Sequence, residues 1–203
     1  MSTIELTKTQ FTTLIPVNYA KTIASFGVFA SPKDMTPALQ QVKVVFDATR
    51  ITVLATDRYV AAKASYAYDG DGTEGTIYLS PVAIKYIAGI KAHQHFMHNN
   101  VKITVDDGNL TLSYLGATYT ERMFTGNYPE IERMIDEHKS GPINKVSLKI
   151  ELLTKLSKVV NTSGDKAGIW EFTTGEAIGS RPGPLLATQA GVAVLIQPNL
   201  IKP

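Results

Sequence analysis

The sequence predicts an α+β fold in which short antiparallel strands are interrupted by a few helices. Three observations lead to this fold class. Apolar and polar residues alternate in short runs over residues 42–124, a period typical of half-buried strands. Residues 106–109, Asp-Asp-Gly-Asn, are a hairpin signal because Gly and Asn tolerate the positive φ of tight turns. Ser80-Pro81 is a helix start, with serine as the cap and proline at the first helical position.

The alternating runs are the predicted strands, and the hairpin signal makes their pairing antiparallel. These strands are Val42–Asp47, Arg50–Ala55, Tyr59–Ala67, Thr76–Leu79, Val101–Val105, Leu110–Tyr114 and Ala117–Phe124.

Two predicted helices separate the strands into groups. The earlier helix spans about Lys8–Phe26, with apolar residues at helical spacing, and Pro16 inside it is expected to kink or split it. The later helix runs from the Ser80 cap to about Lys91. The result is one complete domain over residues 1–136, built from two similar halves.

A second, smaller unit is predicted over residues 147–203. Residues 137–146 are polar and contain Gly-Pro, which is typical of a linker. Ser147–Val160 has one apolar face and predicts a helix. Three short strands follow, with residues 179–184 as a loop between the first two: Gly168–Thr173, Leu185–Thr188 and Val192–Gln197. This unit has too few strands to repeat the first domain.

Composition narrows the function classes. The 20 basic and 18 acidic residues give a net charge of +2, which disfavours a tight, sequence-reading DNA binder but allows a local basic lining. The absence of cysteine excludes disulfides, thiolate metal sites and cysteine nucleophiles, and fits a reducing compartment. Since no stretch approaches the roughly 18 apolar residues of a membrane span, a soluble cytoplasmic protein without a membrane partner is expected.

Catalytic and metal-binding motifs are weak. The sequence contains no nucleophile elbow, Walker-type loop or dinucleotide fingerprint, so no enzyme and no cofactor are predicted. His93, His95 and His98 are the one place where a metal could be proposed, but an ordinary polar loop is favoured because zinc needs three or four convergent ligands. A hydrolase or metal enzyme therefore depends on these histidines.

Three segments carry a family resemblance. Residues 54–62 read Leu-Ala-Thr-Asp-Arg-Tyr-Val-Ala-Ala, residues 127–135 read Asn-Tyr-Pro-Glu-Ile-Glu-Arg-Met-Ile, and residues 193–201 read Ala-Val-Leu-Ile-Gln-Pro-Asn-Leu-Ile. The first is interpreted as a strand leaving a polar corner, and the second as an extended run turned by Pro129. In order and spacing they resemble signatures of the β sliding clamp of bacterial DNA polymerase III. Nothing corresponds to that family's first domain.

The resemblance implies a DNA-clamp fold: antiparallel sheets with helices on one face, in one complete clamp domain and one truncated domain. It also implies a cleft between the two that receives short peptides from a polymerase, a clamp loader or other replication proteins. Arg58 stands where the family usually has a small residue, and Gln197 where an apolar one is common. Carried over by position, the cleft residues are Thr56, Arg58, Tyr59, Val60, Ala61, Pro129, Arg133, Met134, Leu195, Gln197 and Pro198.

The family's ring surrounds duplex DNA, without reading its sequence, through helices that carry Lys and Arg. The alternative interpretation is an ordinary solvated face opposite each apolar stripe. The candidate DNA-facing residues are Lys8, Lys21, Lys85, Lys91, Lys149, Lys155 and Lys158.

The expected function is that of a clamp-like processivity or recruitment protein of a bacterium or bacteriophage, acting in the cytoplasm of a bacterial or phage-infected cell. Closed rings in this superfamily contain six domain equivalents, so two units per chain favour a homotrimer. The alternative is a monomeric module that does not encircle DNA and that binds or sequesters clamp-interacting proteins of the host.

Overall fold

The computed structural model describes residues 10–70, 72–91, 100–141, 148–160, 168–177 and 182–198. Two 3-10 turns span Phe26–Phe29 and Pro37–Gln40. The helices and strands in chain order are β1 (Phe11–Pro16), α1 (Val17–Ser25), β2 (Val42–Phe46), β3 (Arg50–Thr56), β4 (Val60–Ala67), β5 (Gly75–Leu79), α2 (Pro81–Ala88), β6 (Asn100–Asp106), β7 (Asn109–Tyr114), β8 (Ala117–Arg122), α3 (Ile131–Asp136), α4 (Ile150–Leu156), β9 (Glu171–Thr174), β10 (Leu185–Gln189) and β11 (Val192–Ile196).

The strands form two antiparallel sheets, which confirms the predicted α+β class. One sheet has the order β1-β6-β7-β8, and the other has the order β5-β2-β3-β4-β11-β10-β9. The chain from β1 to β8 repeats the order strand, helix, three strands. The first strand of each repeat joins the sheet of the other repeat, because β1 pairs with β6 and β5 pairs with β2. This exchange ties the two halves together.

The first predicted helix is wrong over residues 11–16, which form β1. Thr13 and Ile15 are buried while Thr12 and Leu14 are exposed, which is the period of a strand. Pro16 disfavours helical backbone at the residue before it and removes a donor, so the helix begins only at Val17. Lys8 lies outside the described residues.

The other local signals are confirmed. Ser80 caps α2, its Oγ accepting a hydrogen bond of 3.1 Å from the N–H of Ala83. The helix ends at Ala88, one turn before the predicted end. The β6–β7 turn places Asp107 at φ 45° and Gly108 at φ 72°, the two positive values that a two-residue hairpin turn needs.

One apolar core joins both sheets to α1, α2 and α4. The aromatic rings of Phe26, Phe29 and Phe46 are fully buried in it. Leu152 and Leu156 of α4 pack into the same core. These three helices form an inner helix layer on the core side of the sheets, and the side of the seven-stranded sheet that faces this core is its inner face.

A fourth helix, α3, covers the opposite, outer face of that sheet. Residues 127–135 were expected to be extended throughout, and this is wrong from Ile131 onward. Pro129 turns the chain, and Ile131 and Ile135, one helical turn apart, then supply a small apolar face that packs on the sheet.

The second predicted unit contributes strands to the same seven-stranded sheet. The three predicted strands are present, and α4 is shorter than the predicted Ser147–Val160 helix. Strand β11 pairs with β4, so one sheet runs through both units. The division at residues 137–146 stays a prediction. Within the part of the chain that the structure describes, no helix is long and apolar enough to cross a membrane.

Candidate peptide-binding cleft

The corner between β3 and β4 is built by two polar side chains. The Thr56 hydroxyl donates to the carbonyl of Val60 at 2.7 Å. One carboxylate oxygen of Asp57 accepts the N–H groups of Tyr59 and Val60, at 3.0 and 2.9 Å. These bonds satisfy the backbone of the turn and fix its direction.

The other oxygen of the Asp57 carboxylate binds the ammonium of Lys155 on α4, and both side chains are largely buried. This pair joins the corner to the inner helix layer. Removing either partner would leave a largely buried charge without compensation.

Arg58 occupies the exposed tip of the corner at φ 78°, a backbone region that favours glycine. Its Nη2 lies 3.0 Å from the Asp34 carboxylate and 3.0 Å from the Thr36 hydroxyl oxygen. A hydrogen bond from the Thr36 N–H, assisted by the Arg58 charge, lowers the pKa of Asp34 below its ordinary value. The Arg58–Asp34 ion pair is therefore expected to persist at neutral pH.

Helix α3 lies across the outer face of the sheet beside this corner. Ile131 and Ile135 pack against Leu54 of β3 and Ala61 of β4 in a small cluster separate from the main core. Only apolar side chains meet here, so the helix is held down mainly by the hydrophobic effect.

The two flanks of α3 differ in character. On one flank, Lys63 of β4 pairs with Asp136 at 3.0 Å and with Glu132 at 3.5 Å. Met134 lies on the other flank, because helical geometry turns it away from Glu132 and Asp136, and it is 52% exposed. The charged flank is fixed to the sheet, whereas the apolar flank is open.

Tyr128 anchors the segment that leads into α3. Its hydroxyl lies 3.1 Å from the carbonyl oxygen of Gln41 and 3.0 Å from that of Leu54, both acceptors. Burial raises the pKa of this hydroxyl, so it stays a donor. Beside it opens a pocket of about 340 Å³ lined by Lys43, Leu54, Tyr128, Pro129, Glu130, Ile131, Glu132 and Arg133.

The β4–β11 pairing adds further apolar side chains to the outer face of the sheet beside α3, and these form the floor of the candidate cleft. Ala61 faces Leu195, and Leu195 faces Leu186 of β10, so three apolar side chains form a row on the outer face. At the end of the ladder the N–H of Gln197 donates to the carbonyl of Tyr59 at 2.9 Å. Pro198 follows and is buried.

The β3–β4 corner, α3 and the end of β11, which carry the predicted cleft residues, adjoin one another on the seven-stranded sheet, and one predicted residue needs correction. Val60 belongs to the main core, so its side chain points away from the outer face and lines no cleft there. Its neighbour Ala61 faces outward because side chains alternate along a strand. Sequence reasoning missed Leu54 and Leu186, which only the strand pairing identifies.

The predicted DNA-facing lysines divide into three groups. Lys85, Lys91, Lys149 and Lys158 are exposed on or beside α2 and α4, and Lys21 on α1 is partly exposed. Lys155 is paired with Asp57 and is not a free cation of this layer. Lys8 lies outside the described residues, as do the three clustered histidines. The described ranges contain no cluster of His, Asp or Glu suited to a metal.

Similarity to solved structures defines the class of fold. The DNA polymerase sliding clamp of Bacillus subtilis matches with a TM-score of 0.65 over 99% of this chain and 67% of that one, at 12% identity. A sliding clamp of Pseudomonas aeruginosa bound to griselimycin gives 0.64 over 99% and 68%, also at 12% identity. This chain therefore has the fold of the bacterial β sliding clamps, as the sequence resemblance implied.

A particular relative is found among curated proteins. The beta sliding clamp homolog GriR of Streptomyces muensis is 29% identical over 163 residues, which cover 79% of this chain and 43% of that protein. The chain thus aligns with less than half the length of this curated relative and with about two thirds of the solved clamps. No protein-family model matches the sequence.

The positive φ of Arg58 can be tested by comparing the stability of two variants. Both Arg58→Gly and Arg58→Ala lose the ion pair to Asp34, but only glycine relieves the positive φ. A left-handed conformation costs a non-glycine residue about 1–2 kcal/mol, and glycine's greater freedom in the unfolded chain offsets roughly 0.5–1 kcal/mol of that. We expect Arg58→Gly to be more stable than Arg58→Ala by about 0.5–1 kcal/mol in urea unfolding. Equal stability, or a more stable alanine variant, would contradict this backbone geometry.

Proposed function

We propose that this protein acts as a clamp-like recruitment factor. In this proposal, the cleft beside α3 binds short linear peptides of a polymerase, a clamp loader or other replication proteins, and the inner helix layer faces duplex DNA. The observation that carries the proposal is the meeting of three distant segments, the β3–β4 corner, α3 and the end of β11, around one apolar cluster, of which Leu186, Ala193 and Leu195 are partly exposed. No catalytic role is proposed.

The chemistry of the surface suits an extended peptide. The accessible floor is apolar, formed by the partly buried Leu186, Ala193 and Leu195, while Leu54 and Ala61 are buried beneath α3 and support it. The rim carries Tyr59 and Met134, which are 62% and 52% exposed, and a flexible Met adapts to different apolar side chains. Such a surface favours a ligand with one or two hydrophobic anchors.

The proposed DNA contact rests on the exposed lysines of the inner layer. A few scattered cations attract phosphate without the dense contacts that would oppose sliding. In the proposed ring, three chains with two units each close around the duplex. The alternative is a monomer that uses the cleft alone to bind or sequester proteins that interact with clamps.

The cleft generates the first functional prediction. We expect a fluorescein-labelled peptide, copied from the clamp-binding segment of a bacterial polymerase III α subunit, to bind the full chain in fluorescence anisotropy. Met134→Asp should weaken this binding at least tenfold, about 1.4 kcal/mol, because it places a charge on the open apolar flank. Griselimycin, which the Pseudomonas aeruginosa clamp binds, serves as a competitor.

The matched control for this experiment is Leu115→Asp. Leu115 lies in the β7–β8 turn and is 54% exposed, close to the exposure of Met134. This variant introduces the same charge on the other sheet and should bind the peptide like the unchanged protein. Equal affinity of the two variants would contradict the proposed cleft.

Ring closure is tested by molar mass. Light scattering behind a sizing column, over a concentration series and with nicked circular DNA, should show three times the 22.1 kDa chain and retention on the circle that is lost when the DNA is linearised. A monomer that does not bind the circular DNA would contradict the ring and favour the peptide-binding alternative.

A further inference from the structure

Lys155 differs from the other lysines of the inner helix layer. Among the described candidates for DNA contact it alone forms an ion pair, and its side chain is only 20% exposed. Lys149 and Lys158, which flank α4, are exposed. Lys155 is therefore drawn back from the surface that a phosphate group would approach.

The position of Lys155 on α4 explains this burial. Leu152 and Leu156 pack into the core, and Lys155 follows Leu152 by three residues, which places the two on the same side of the helix. Thr154, on the side away from Leu152, is exposed. The Lys155 side chain thus leaves α4 toward the sheet, where its ammonium donates to the Asp57 carboxylate, 98 residues away in the chain.

The Asp57 side chain is 13% exposed, so both of its oxygens depend on partners within the protein. One oxygen accepts the N–H groups of Tyr59 and Val60, and the other accepts the Lys155 ammonium. Lys155 thereby fixes the rotation of the carboxylate, and that rotation aims the first oxygen at the two N–H groups. Lys155 thus acts on the backbone of the turn through Asp57.

The turn needs this support because its tip is strained. Arg58 has a φ of 78°, and a residue other than glycine keeps such a conformation only where its surroundings hold it. The N–H of Tyr59, bonded to Asp57, is the first backbone donor after the strained residue. Tyr59 is 62% exposed at the rim of the cleft. The presentation of its ring therefore depends on the Asp57–Lys155 pair.

Recruitment of Lys155 by DNA would oppose the turn. A phosphate could attract the ammonium only by leaving the largely buried Asp57 carboxylate without its counter-charge, which is costly. The exposed Lys149 and Lys158 approach phosphate without that loss.

We propose that Lys155 is a positioning residue of the cleft and not a DNA contact. From the inner helix layer it holds Asp57, and through Asp57 it holds the β3–β4 corner that presents Arg58 and Tyr59. This inference rests on the proposed peptide-binding function and assigns to it a residue of the opposite layer.

The test measures binding of the fluorescein-labelled polymerase peptide by the full chain and its variants. Lys155→Met should weaken binding at least about tenfold, through faster dissociation, because it leaves Asp57 unpaired. Amide hydrogen exchange at Tyr59 and Val60 should become roughly tenfold faster in this variant.

A second substitution separates positioning from loss of fold. Asp57→Asn/Lys155→Met should bind the peptide about threefold more tightly than Lys155→Met, because the asparagine keeps an acceptor for the two N–H groups and buries no unpaired charge. General destabilisation does not produce this recovery. If Lys155→Met does not fold, Asp57→Asn alone decides, and it should bind about threefold more weakly than the unchanged protein.

Lys102→Met is the matched control. Lys102 is exposed on β6, in the other sheet, so the same substitution there should leave the peptide affinity and both exchange rates unchanged. Lys158→Met is the reference for DNA contact. Binding of a short duplex at low salt should fall in Lys158→Met and stay unchanged in Lys155→Met.

The outcomes separate the two proposals. No peptide binding by the unchanged protein would overturn the peptide-binding function itself. Peptide binding that Lys155→Met leaves unchanged, or that the second substitution fails to restore, would overturn the positioning role and leave the cleft standing. A loss of duplex binding in Lys155→Met as large as that in Lys158→Met would return Lys155 to the DNA-contacting layer.

Discussion

The antiparallel pairing of β11 with β4 is the interaction on which the candidate site depends. It places Ala61 opposite Leu195 on the outer face and Val60 opposite Ile196 on the core face. The outer pair belongs to the apolar cluster against which α3 packs beside the corner. The core pair joins the sheet to the core that contains the inner helices. Because side chains alternate along a strand, a shift of one residue would turn the floor into the core and remove the cleft.

The corner shows how local chemistry and distant contacts combine. Asp57 directs one carboxylate oxygen to the turn backbone and the other to Lys155, so one side chain orders the turn and links it to the inner layer. Arg58 then links the same turn to the loop before β2 through Asp34. The rim of the cleft is consequently a junction of three segments, and its shape depends on ion pairs that are only partly exposed to solvent.

The sequence predicted those elements whose signals are local. The hairpin at Asp107-Gly108 and the helix that begins after Ser80 have strict backbone requirements that few residues meet. The spacing of Phe11, Leu14 and Ile15 fits a helix as well as a strand, and pairing with β6 decides between them. Helix α3 is too short for periodicity to identify. The β4–β11 pairing and the Arg58–Asp34 contact join residues far apart in sequence, which no local pattern specifies, so only the family resemblance brought the cleft segments together.

Native-state hydrogen exchange tests most directly whether the β4–β11 pairing makes one cooperative sheet of the two sequence units. Amide exchange would be followed across β3, β4, β10 and β11 at increasing urea concentration. The account predicts that the amides of β4 and β11 share one opening free energy and one dependence on urea. The reason is that the hydrogen bonds between β4 and β11 break only when the apolar core unfolds. If β9, β10 and β11 exchanged together at a clearly lower free energy than β4, the last three strands would be a separate unit and the cleft floor would not be part of the folded core.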